Sequence, residues 1–164
     1  MKAQVYVSIG SNVNRRKNIA LALERLAGEF GPIEQSSVYE SDAVGFNSAP
    51  FYNLVIGFRS DESPREIQAR LHAIEDACGR VRARTLSART MDLDLLLYAD
   101  MVIDEAGLSL PRNDITRYAF VLCPLAEIAG TERHPVSGES YADMWAAFDD
   151  PEQVLTLVDW PPVV

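Results

Sequence analysis

Arg80-Val-Arg-Ala-Arg-Thr-Leu-Ser-Ala-Arg-Thr-Met-Asp-Leu-Asp-Leu-Leu-Leu-Tyr98 is the stretch on which the reading of this chain turns. Its first half carries four arginines and no acid; its second half is an apolar run interrupted only by Asp92 and Asp94. In an extended chain, residues i and i+2 share a face. Asp92 and Asp94 then project together, and Met91, Leu93 and Leu95 point the other way. Two adjacent carboxylates beside a core are costly unless a cation sits between them. Such a pair suits Mg²⁺, which takes a few protein oxygens and completes its shell with water and substrate phosphate. The arginines suit the phosphates, because a guanidinium fork binds phosphate oxygens bidentately. The stretch therefore reads as a strand with a candidate Mg²⁺-nucleotide site. A strand edge with solvated aspartates beside a basic loop fits the same residues.

The chain around it has 164 residues, a length that fits one domain, 1–164, with one substantial core. Hydrophobic residues make up 48%, a globular composition. Fifteen Lys and Arg against 24 Asp and Glu leave a formal charge of −9. That balance argues against non-specific nucleic-acid binding and makes a local arginine cluster more informative. Cys78 and Cys123 have no metal-ligand or disulfide-framework spacing. No signal peptide is apparent and no stretch approaches the ~20 apolar residues of a membrane span. A soluble, cytoplasmic protein is expected.

Working outward, residues 3–9 alternate as a strand, and Gly10-Ser-Asn12 has the chemistry of a turn. Ile19, Leu23, Leu26 and Phe30 recur at helical spacing over about 15–30, and Gly31-Pro32 stops that helix. Residues 33–39 and 51–58 read as strands. Ser63-Pro64 opens a second helix, with Ser63 as N-cap, that carries Ile67, Leu71 and Ile74. The Asp92–Tyr98 strand follows. The order is β-α-β-β-α-β, which predicts an α+β, ferredoxin-like antiparallel sheet with both helices on one face. Beyond it, 118–129 is expected to be helical in part, limited by Pro124. A short helix over 141–148 and a closing strand over 154–158 complete the pattern.

Five motifs, in order, carry a family resemblance: Ser8-Ile-Gly-Ser-Asn12, Phe51-Tyr-Asn53, Gly79-Arg-Val-Arg82, Arg89-Thr-Met-Asp-Leu-Asp-Leu95 and Ala119-Phe-Val-Leu-Cys-Pro-Leu125. Together they resemble 6-hydroxymethyl-7,8-dihydropterin pyrophosphokinase of folate synthesis. The resemblance implies a ferredoxin-like fold with an appended C-terminal helical part. It also implies transfer of pyrophosphate from ATP, the co-substrate, to the pterin's hydroxymethyl oxygen, releasing AMP. Asp92 and Asp94 match the ligands of two Mg²⁺ ions. Asn53 matches the amide that pairs with the pterin edge, while Phe51 and Phe120 match the aromatics on its two faces. Core packing for Phe120 and an exposed or turn-facing amide for Asn53 are the competing readings. Ser41 and Val44 match positions that meet the pterin through main chain or small side chains. Arg80, Arg82 and Arg89 match catalytic arginines that stabilise phosphate charge, and Glu75, Arg82, Arg89 and Arg112 match the nucleotide side. The expected partners are small molecules, with neither nucleic acid nor membrane, and a monomer is expected.

Three departures from the family pattern stand out. Thr85-Leu-Ser-Ala88 replaces the usual Trp-Gly-Pro and is about one residue shorter, Pro111-Arg112 replaces Pro-His, and Tyr118 stands where an arginine is expected, with Arg117 before it. They admit a divergent member with weak or altered pterin-like substrate activity, or a non-catalytic pterin- or nucleotide-binding module. Arg84 has no assigned role, His72 reads as a helix-surface residue and His134 as a turn residue.

Overall fold

The computed structural model describes residues 2–42, 49–78 and 91–160. Its elements are β1 (Ala3–Ser11), α1 (Arg15–Phe30), β2 (Glu34–Gln35), β3 (Tyr39–Ser41), β4 (Phe51–Ser60), α2 (Pro64–Ala77) and β5 (Asp92–Tyr98). They continue with β6 (Ile103–Glu105), β7 (Leu108–Leu110), α3 (Asp114–Arg117), α4 (Ala119–Ala129), α5 (Tyr141–Ala147) and β8 (Thr156–Leu157). The fold is α+β. The main sheet runs β5-β1-β4-β3-β8, with β2 also paired to β4; β6 and β7 form a separate hairpin.

Local chemistry sets the helix ends. Gly31 closes α1 at φ 84°, a conformation that favours glycine, and its N–H reaches the Ala27 carbonyl. In α2, the Ser63 hydroxyl accepts from Glu66 N–H while the Glu66 carboxylate accepts from Ser63 N–H, a reciprocal capping box with Pro64 at the first turn.

Three differences from the sequence expectations have physical causes. β1 does not stop before Gly10 but runs to Ser11, because pairing with β4 and β5 on both sides outweighs the local turn chemistry. The single strand expected over 33–39 is split. Gln35 opposes Ile56 and Tyr39 opposes Asn53, so four steps on one strand match three on the other. Ser36 spans the break, donating its N–H to the Val55 carbonyl and accepting the Val55 N–H on its hydroxyl. Finally, α4 continues through Pro124, held by its packing on the sheet, although proline supplies no N–H to the ladder.

Period-two alternation sorts the sheet into two faces. Val5, Val7 and Ile9, Leu54, Ile56 and Phe58, and Leu93 and Leu95 share a core with Ile19, Leu23 and Leu26 of α1 and Ile67, Leu71 and Ile74 of α2. On the opposite face Tyr6, Val55, Leu96 and Leu97 pack against Ile115, Val121, Leu122, Leu125 and Tyr141. A register slip between Tyr6 and Val7 makes Leu96 the extra residue, so both Leu96 and Leu97 join this second core. Tyr6 lies over Gly57, where a Cβ would come within 2.8 Å of its ring, and donates its hydroxyl to the Glu132 carboxylate. Burial foremost, then that bond, keeps the phenol protonated.

Candidate active site

Along the second face the strands change character. The row containing Tyr6 is apolar and covered, but the next rows are Val55–Ser8–Asp94 and Asn53–Gly10–Asp92. The covering helices still bury Val55 but leave Ser8, Asp94 and the row beyond them uncovered, and a cavity of about 380 Å³ opens there. Its floor is Ser8, Gly10, Asn53, Asp92 and Asp94; Ser41, Asp42 and Phe51 form one side, and Asp114, Tyr118 and Phe120 the other.

Asp92 and Asp94 project together from β5, half-buried, with Leu93 and Leu95 in the opposite core. Gly10 sits between Asn53 and Asp92 on the neighbouring strands; a Cβ there would lie 3.4 Å from Asn53 Oδ1 and 3.6 Å from the Phe51 ring. Asn53 is 5% exposed. Its Nδ2 donates to Ser41 Oγ at 2.8 Å and to the Tyr39 carbonyl at 3.4 Å, which fixes the orientation of the amide. Phe120 stacks on Tyr118, centroids 5.0 Å apart at 15°, forming a flat aromatic wall in the cavity that Phe51 also lines. Arg117 sits 5.4 Å over the Tyr118 ring, outside the cavity lining.

Electrostatically, the described lining carries four carboxylates, Asp42, Asp92, Asp94 and Asp114, and no lysine or arginine. Arg112 lies at its margin, with Nη2 3.6 Å from Asp94 and Nε 3.2 Å from Asp114. Desolvation opposes the charge on Arg112, but Asp94 and Asp114 outweigh it and hold the guanidinium protonated more firmly than in water. A polyphosphate entering here meets like charge unless cations intervene. Among the described residues no group of three or more His, Cys, Asp or Glu side chains forms a metal cage. A pair of carboxylates in a cavity instead suits a Mg²⁺ ion, which takes few protein ligands and completes its shell with water and phosphate.

A smaller cleft of about 70 Å³ lies beside Asp94 and Arg112, between α2 and the β6–β7 hairpin. His72, read from sequence as a surface residue, lines it together with Gln68 and Ser109. Glu75, expected on the nucleotide side, lines neither space. It is 1% exposed, and its Oε2 accepts the Leu93 N–H at 2.8 Å, between the two aspartates on edge strand β5.

Ser41, Phe51, Asn53, Asp92, Asp94 and Phe120 thus surround one cavity, and Arg112 borders it. Val44, Arg80, Arg82, Arg84, Arg89 and the Thr85–Ala88 loop lie outside the described residues. Asp114 and the inward-facing ring of Tyr118 were not anticipated. Asp114 follows Arg112 by two positions, a spacing that offers an ion pair but no sign of a cavity.

Residues 6–130 match the family described as 7,8-dihydro-6-hydroxymethylpterin-pyrophosphokinase (HPPK). The chain is 37% identical to a 2-amino-4-hydroxy-6-hydroxymethyldihydropteridine pyrophosphokinase of Pseudomonas aeruginosa over 152 residues, which cover 90% of this chain and 93% of that protein. It is 34% identical over 149 residues to the Folic acid synthesis protein fol1 of Pneumocystis carinii, spanning 89% of this chain but only 20% of that longer protein. Among solved structures, a Plasmodium falciparum HPPK-DHPS chain with pterin and p-hydroxybenzoate superposes with a TM-score of 0.72 at 13% identity, over 89% of this chain and 43% of that one. At that identity the likeness speaks for the fold.

Proposed function

The chain belongs to the 7,8-dihydro-6-hydroxymethylpterin-pyrophosphokinase family, and from that premise we propose that it transfers pyrophosphate from ATP to 6-hydroxymethyl-7,8-dihydropterin in folate biosynthesis, in the cavity described above. The observation that carries this assignment is one opening, about 380 Å³, walled by aromatics, floored by a fixed amide and edged by a carboxylate pair. The sheet order β5-β1-β4-β3, with α1 and α2 in one core, supports a ferredoxin-like reading of the fold; the α4–α5 part packs on the other face.

The pterin ring lies between Phe51 and Phe120, where stacking supplies affinity for a flat heterocycle. Asn53 meets the ring edge; its Nδ2 is already engaged by Ser41, so its Oδ1 is the atom offered to a ring N–H. That arrangement aims the hydroxymethyl group towards Asp92 and Asp94. Asp92 and Asp94 would hold Mg²⁺, two ions in this reading, which would supply charge neutralisation and polarisation at the phosphates. The nucleophile is the substrate's own hydroxyl, so no protein nucleophile is required. Arg112 moves its charge from Asp94 to the incoming phosphates. Arg80, Arg82, Arg89 and Val44 keep the roles their motif positions imply. Buried Glu75 acts by holding β5 rather than by touching the nucleotide.

The test is AMP release from ATP with and without the hydroxymethyl pterin, in Mg²⁺ and after chelation. AMP is expected only with all three components present. ADP as product, or pterin binding without AMP release by folded protein, would replace this reading with another kinase or a binding module.

A further inference from the structure

The aromatic wall of the cavity is held from a segment outside residues 6–130, the part that matches the family. Tyr118, between α3 and α4, is extended at φ −122° and ψ 126° and offers no side-chain cap to α4. The first N–H of that helix, on Ala119, would be an orphan donor. Gln153 supplies the missing acceptor from 34 residues away: its Oε1 takes the Ala119 N–H at 2.8 Å. Its Nε2 donates to the Arg117 carbonyl at 2.9 Å and to Asp150 Oδ2 at 3.0 Å. The opposite amide orientation would set NH₂ against N–H and oxygen against two oxygens, so the network admits one orientation. Asp150 in turn braces the turn that presents Gln153, accepting Glu152 N–H on Oδ1 and Gln153 N–H on its carbonyl.

One side chain therefore grips the backbone on both sides of Tyr118, whose ring stacks on Phe120 in the cavity wall. Phe120 also lines a second space of about 270 Å³, together with Ala119, Asp150 and Gln153, so the wall is not packed solid on every side and the Gln153 bonds are what tie it there. We propose that Gln153 is a positioning residue for the pterin: it holds the Tyr118–Phe120 wall in place against the ring. Its effect falls first on the pterin, because the wall it ties carries Tyr118 and Phe120, while Asp92 and Asp94 lie on β5; Arg112, joined to α3 through Asp114, is one step further from the tie. The inference rests on the cavity being the pterin site.

Steady-state kinetics on Gln153→Leu test it. The KM for the pterin should rise about three- to tenfold, the scale of one or two lost hydrogen bonds, with the KM for ATP and kcat near wild type. Gln153→Glu keeps an acceptor for Ala119 but turns an anion on the Arg117 carbonyl and Asp150, and should raise the pterin KM at least as much. Asp150→Ala leaves Gln153 intact but frees its amide; a smaller rise in the same direction is expected, and it serves if the Gln153 variants fail to fold. An unchanged pterin KM in folded variants would overturn the inference, as would equal rises in both KM values, which mark general loosening. Wild-type protein that neither binds pterin nor releases AMP would instead sink the functional reading itself.

Discussion

The two faces of the central sheet are made by the same strands and end in opposite conditions. Towards α1 and α2, each inward residue of β1, β4 and β5 named in that core is a closed apolar side chain. Towards α4 and α5, the same strands are apolar for one stretch and then present Ser8, Gly10, Asn53, Asp92 and Asp94. The first face is built for stability, since every exposed methylene there would forfeit about 0.8 kcal/mol. The second gives up part of that burial to place polar groups in a recess. Cutting into one face should cost folding, and cutting into the other should cost chemistry.

The largest expected effect tests the polar end of the second face. Asp92→Asn or Asp94→Asn should lower AMP release by about a thousandfold or more, on the scale of losing a charge-stabilising element of an active site. Thermal denaturation should stay near wild type, because these half-buried carboxylates carry little of the packing. Turnover retained in both variants would break the division between the faces. The converse is Leu54→Ala in the closed core, fully buried in the wild type. It should cost about 3 kcal/mol in denaturant unfolding, with pterin affinity unaltered in the fraction that stays folded.

Phe120→Ala sharpens the contrast within the second face. Loss of one stacking partner should weaken pterin binding about tenfold by calorimetry and leave nucleotide binding unchanged. The smallest effect concerns the cover of that face. His134 Nδ1 accepts the N–H groups of Val136 and Ser137, and burial of the ring lowers its pKa, against an opposing pull from Glu139. The folded state therefore favours neutral imidazole. This contribution is complete above the unfolded value of about 6.5 and declines as pH falls through that value towards the lowered one. His134→Asn keeps an acceptor without the titration, so its Tm should fall less than that of wild type between about pH 7.5 and about pH 5.5.

Much of this was legible along the chain because it depends on local rules. Ser63 and Pro64 announce the start of α2 from local chemistry alone. The Asp92–Leu95 alternation places two carboxylates on one face of any strand, and both expectations agree with the observed geometry. The strand boundaries were harder. Gly10-Ser11-Asn12 has turn chemistry, yet Gly10 and Ser11 lie in β1 because β4 pairs with both and β5 with Gly10. Glu75 was expected on the nucleotide side, but the edge of β5 comes to rest against it and uses its carboxylate. Gln153 has one local partner, Asp150, but nothing near it announces the bonds to Ala119 and Arg117, which lie 34 and 36 residues earlier.

Periodicity and residue type by themselves pointed to the α+β class and to a carboxylate pair on one strand face, because each follows from spacing along single strands and helices, while the resemblance of five ordered motifs pointed to the family. Only the tertiary structure decided which polar residues share a cavity, that Asp114 and Tyr118 belong to it, and that Glu75 does not. Those outcomes depend on where helices stop covering a sheet and on which backbone groups are left needing partners. That is settled by packing between distant segments and leaves no trace in local pattern.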